Sequence, residues 1–140
     1  MIDEIRAYFK SVINEVDTDL KEHNEYFTSE NIPDTNLEDK FFIQFGTLST
    51  ERQDSDMIGN IPVSISIWKK GYTDIINKLD SAYCNAIEIQ AKCMDQARIE
   101  QTEFMKSVVG NSISPESVAD NDNLAKFSLE FTVTTGYKSF

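Results

Sequence analysis

Apolar and polar residues alternate from Phe127 to Thr134, in the order Phe-Ser-Leu-Glu-Phe-Thr-Val-Thr. A period of two marks a β-strand with one buried face. The same period runs through Ile61, Val63, Ile65 and Ile67, which are interleaved with Pro62, Ser64, Ser66 and Trp68. That segment predicts a second strand, β-branched on one face and small and polar on the other. Pro62 cannot donate to a ladder, which places it near the strand's start or on an edge. Phe41-Phe42-Ile43-Gln44-Phe45 predicts another strand, with Phe41, Ile43 and Phe45 pointing one way. Residues 104–114, around Val108 and Ile113, complete the set.

Two segments carry the helical period instead. Ile2, Ile5, Phe9, Val12, Ile13 and Val16 form a narrow apolar stripe over residues 2–16, and Asp3 and Glu4 sit where the helix dipole favours acids. Residues 73–101 predict a long central helix, its apolar face traced by Ile75, Ile76, Leu79, Tyr83, Ile87, Gln90, Met94 and Ala97. Residues 17–40 are polar and poorly patterned and predict a long surface loop. The order is helix, strand pair, helix, strand pair, which argues for hairpins over crossovers. The expected fold is α+β: a four-stranded antiparallel or mixed sheet with the N-terminal helix and one long central helix on one face. The other face would carry Ser64, Ser66, Ser128, Glu130, Thr132 and Thr134.

The 140 residues suit one domain spanning 1–140, and 40% hydrophobic content suits a packed core. No apolar run approaches the roughly 20 residues that cross a bilayer, so no membrane role is expected. The acidic start, Met1-Ile2-Asp3-Glu4, lacks an apolar secretion core, and an interior, reducing compartment is expected. Cys84 and Cys93 fall on opposite faces of the long helix, which predicts free thiols. The net charge of −11 is concentrated in residues 1–56, with fourteen acids against five bases. Such a chain does not grip nucleic acid, which needs clustered Lys and Arg.

Reactive chemistry finds little support. His23, the only histidine, sits among polar residues away from any strand end, which is poor ground for a base or a triad. Two cysteines and a distant histidine do not make a zinc site. Asp120-Asn121-Asp122-Asn123 has a calcium-loop flavour but lacks the glycine and the bidentate glutamate, so it reads as a turn. Phe41, Phe42 and Phe45 lack the interleaved bases of a nucleobase-stacking platform. No cofactor, no metal and no enzymatic activity are expected. The segments 47–58 (Arg52, Asp54, Asp56) and 115–123 (Glu116, Asp120, Asp122) are the candidate interface loops, because loops carry binding while a sheet positions them.

The element order, from the helix at 2–16 through the strands at 41–46 and 61–68 and the helix at 73–101 to the closing Phe127–Tyr137 segment, resembles the tail-terminator, or tail-completion, proteins of long-tailed bacteriophages of the lambda type. The resemblance is one of pattern over nearly the whole chain. It implies a homo-oligomer, a hexameric ring that caps the tail tube, ends its polymerisation and joins it to the head connector and neck proteins. Such a ring is part of the virion neck and assembles in the host cytoplasm. DNA would pass through without specific binding, and an acidic lumen would let it slide. The central helix is longer than the pattern leads one to expect, which keeps a neighbouring head-completion protein open. The alternative from another class is a small acidic cytoplasmic adaptor.

Overall fold

The computed structural model describes residues 1–23, 39–53, 56–70, 75–117 and 124–138. The chain builds α1 (Ile2–Val16), β1 (Lys21–Glu22), β2 (Lys40–Phe45), β3 (Ser49–Gln53), β4 (Asp56–Lys70), α2 (Ile75–Cys93), α3 (Gln96–Ile99), β5 (Met105–Ser117) and β6 (Leu124–Lys138). All six strands join one mixed sheet in the order β1-β2-β4-β6-β5, with β3 continuing beside β4.

Two long partners form the spine. β4 and β6 run antiparallel in unbroken register from Asp56↔Lys138 to Lys70↔Leu124. Ile61, Val63, Ile65 and Ile67 therefore lie against Val133, Phe131, Leu129 and Phe127 on one face. Phe41 and Ile43 of β2 extend the same rows. The helices cover this face with Ile5, Phe9, Val12 and Ile13 of α1, Ala86, Ile89 and Cys93 of α2, and Ile99 of α3. Phe9 packs on Phe131 at 5.1 Å between ring centroids, and Tyr83 meets Phe127 edge-on at 4.9 Å. Each fully buried side chain of this core, such as Phe9, Phe127 and Phe131, contributes about 1.5–3 kcal/mol.

The expected fold needs correction. Among the described residues the sheet has six strands and not four, and three helices take the place of two. β1 is two residues long and parallel to β2, too short for any periodicity to show. β3 is Ser-Thr-Glu-Arg-Gln, polar throughout; it forms by hairpin pairing to β4, from Ser49↔Asn60 to Gln53↔Asp56, and without a buried face of its own it leaves no alternation to read. The long central helix stops at Cys93. Asp95 takes an extended conformation (φ −65°, ψ 114°) and its carboxylate accepts the Ala97 N–H at 3.1 Å, so it caps a new short helix.

The phase of α2 also differs from expectation. Ile87 and Met94 face solvent, whereas Ala86, Ile89 and Cys93 turn inward. Apolar residues occur on both sides of this helix, so periodicity alone left its rotation open. Pro62 lies in the middle of β4, a central strand. Its carbonyl accepts from Gly46 N–H at 2.7 Å, so its missing donor faces the place where Gly46, Thr47 and Leu48 stand opposite Ile61 and Pro62. The ladder breaks there into β2 and β3, a bulge that spares the proline a lost hydrogen bond.

Candidate functional site: the open face of the sheet

The face away from the helices is built by the alternate positions of the same strands. Register lines up Gln44, Ser64, Glu130 and Ser112 in one row and Phe42, Ser66, Ser128 and Ser114 in the next. Glu130 is the centre of its polar network, accepting from Ser64 Oγ at 2.8 Å and Ser128 Oγ at 3.3 Å. Further along, Thr134 Oγ1 donates to Asn60 Oδ1 at 2.9 Å, and Asn111 Nδ2 donates to Thr132 Oγ1 at 3.0 Å. Asn111 occupies one of two irregularities in β5. Short hydroxyl and amide groups pair with one another over much of this face, but Phe42, Ile58, Pro62 and Trp68 are apolar positions of it, Trp68 and Ser128 are buried, and Val109 is half-exposed.

One end of this face is basic. Lys21, Lys40, Trp68 and Lys126 stand side by side across β1, β2, β4 and β6. The Lys126 ammonium lies 5.4 Å from the Trp68 ring centroid, a cation–π contact. These residues are scattered over more than a hundred positions of the chain, and only strand register collects them. No local motif could have found them.

The sequence-derived interface residues do not form one patch. Arg52 is exposed on β3 opposite Met57, and Asp56 opens β4 opposite Gln53 and Lys138. Glu116 lies in β5 opposite Lys126. The β6 partners Lys138 and Lys126 put these two groups about 40 Å apart along the sheet at ~3.4 Å per residue. Asp54, Asp120 and Asp122 lie outside the described residues. Segments 47–58 and 115–123 are thus largely strand where described, and they belong to opposite ends of the sheet.

Several other ionisable groups tie the elements together. Glu15, at the end of α1, accepts from Arg98 at 2.6 and 2.7 Å and from Lys92 at 3.0 Å, bolting α1 to α2 and α3. The Arg98 hydrogen bonds, then those of Lys92, hold its carboxyl below the usual carboxylate range. Tyr8 Oη donates to the Cys93 carbonyl at 2.6 Å, closing the end of α2, and burial pushes its phenol up. Burial also pushes the Cys93 thiol up to about 12, whereas Cys84 is exposed on the same helix. Burial would lower the Lys69 pKa, but its bond to Asp17 at 2.7 Å and the nearby Asp39 outweigh that and raise it. His23 is half-buried beside β2, its backbone N–H donating to the Phe41 carbonyl at 2.8 Å.

Among the described residues no group of three His, Cys, Asp or Glu side chains is placed to hold a metal. A cleft between α2 and the sheet, lined by Leu20, Ile67, Lys69, Ala86, Ile89 and Phe127, has enclosed room of about 10 Å³. That is the space of a single water and not of a metabolite. No described helix is long and apolar enough to cross a membrane. No protein-family model matches the chain, and no curated protein matches it.

Proposed function

We propose that this chain is the structural subunit of a ring in a phage tail neck, one that caps the tail tube, ends its polymerisation and joins it to the head connector. The observation that carries the reading is the two-faced sheet. One face is covered by α1, α2 and α3, and the other is mostly polar, with a hydrogen-bonded centre around Glu130, and is bounded by two different edges, β1–β2–β3 and β5. A subunit with unlike edges is suited to head-to-tail contacts, which close into rings. The two irregularities in β5 protect that edge against indiscriminate strand addition while leaving its side chains available.

The charge fits the same reading. Six copies would carry six times −11, or −66, so passing DNA would meet repulsion over a Debye length of about 8 Å and would not stick.

Light scattering across a concentration series, with and without purified tail tubes, tests the proposal. The expected result is a closed ring, formed by the protein alone or on tube ends, with tubes that stop growing once capped. A strict monomer that ignores tubes and binds one soluble protein one-to-one would replace the ring with the adaptor reading.

A further inference from the structure

The ring reading leaves open which surfaces meet, and the charges of the sheet's two edges select a pair. Around β1 and β2 most ions are already matched. Glu22, its side chain 8% exposed, lies 3.5 Å from Arg6 and 3.3 Å from Lys10. Lys69 is held between Asp17 and Asp39. Lys21 and Lys40 differ: among the described residues no carboxylate reaches ion-pair distance of either, and both stand in the row with Trp68 and Lys126 on the open face. Asp19, exposed on the turn before β1, and Glu116, opposite Lys126 in β5, offset two of the three lysine charges, so the described row keeps a small positive excess in a strongly acidic chain.

The opposite edge is the mirror case. Near β5, Glu15, Glu88 and Asp95 are engaged with Lys92 and Arg98. Glu100 and Glu103, on the turn from α3 into β5, are exposed and among the described residues have no basic partner. β1 and β5 are separated by β2, β4 and β6, about 19 Å at ~4.8 Å per strand. Among the described residues, one copy therefore carries bases without an ion-pair partner on one edge and acids without one on the other.

We infer that the Lys21–Lys40 edge of one copy docks on the Glu100–Glu103 turn of the next copy, making the head-to-tail contact of the ring. The inference rests on the ring reading and adds to it the two surfaces. The occupant is a second copy and not nucleic acid, because Trp68 is buried and offers no stacking face, and because three lysines in a chain of −11 are too few to hold a phosphate backbone. Opposite charges of this kind set orientation and partner choice.

A charge-swap experiment on the full chain tests it by sedimentation velocity. Lys21→Glu/Lys40→Glu and Glu100→Lys/Glu103→Lys should each weaken self-association about tenfold or more, and mixing the two should restore it, since each then meets its complement. Wild-type association should also weaken as salt rises from ~50 to ~500 mM. Lys21→Glu alone, at an exposed site, covers the case in which the half-buried Lys40 does not accept reversal. Double variants that assemble like the wild type, or a mixture that stays apart, would overturn the contact and leave the ring standing. A wild type that is monomeric at every concentration would overturn both. A Lys21→Glu/Lys40→Glu variant that assembles normally but loses binding to a short DNA duplex would reassign the row to phosphate.

Discussion

The two faces of the sheet are made by the same strands, residue by alternating residue, and yet they obey different rules. On the helix side, Ile65 is fully buried between Ile43 and Leu129, and its worth is set by area and fit. On the other side, Ser66 is half-buried between Phe42 and Ser128, a small polar position beside the Glu130 network. Stability is concentrated on the first face, and the second is freer to vary.

The sharpest way to break the comparison is a pair of neighbouring substitutions. Ile65→Asp should unfold the domain, since an unpaired buried charge costs several kcal/mol. Ser66→Asp, at a half-buried position, should stay folded with a smaller loss of about 1–2 kcal/mol. Circular dichroism and urea melts on both decide it, and a soluble, folded Ile65→Asp variant would mean that the faces are assigned backwards.

Next in size is Phe9→Ala, which removes the α1 ring seated on Phe131 and should cost about 3–5 kcal/mol in urea denaturation. A loss below 1 kcal/mol would mean that α1 rests on the sheet without contributing to the core. Asp95→Ala should cost about 1 kcal/mol by removing the cap that starts α3. An unchanged midpoint would show that the break after Cys93 is held by packing alone.

The smallest effects are those of pH. Glu15 has a folded pKa below its ordinary 4.5, so its contribution is present above that value and is lost as pH falls through the lowered one. Glu15→Gln should flatten the acid limb of the stability curve. Cys93 runs the other way. Its folded pKa is raised from 9.0 to about 12, so the unfolded chain loses the proton first and stability falls as pH climbs through that window. Tyr8 adds to the fall in the same direction. Cys93→Ala should shallow the alkaline limb, measured against the variant's own midpoint at neutral pH. A wild-type curve flat above pH 9 would contradict the buried position of both groups.

Sequence alone determined α1, the core rows of β2, β4 and β6, and the small polar residues opposite them, because a period of two or of 3.6 is a local property of buried faces. It also identified Cys84 and Cys93 as lying on different sides of one helix. It did not determine β1 and β3, which are too short or too polar to carry a period and exist through the hydrogen bonds of β2 and β4. Nor did it determine which side of α2 turns inward, since Ile87 and Ile89 are equally apolar and only the shape of the sheet beneath chooses between them. The basic row of Lys21, Lys40 and Lys126 around Trp68 belongs wholly to the tertiary structure. Strand register is a long-range pairing, and no local pattern encodes which distant residues it will set side by side.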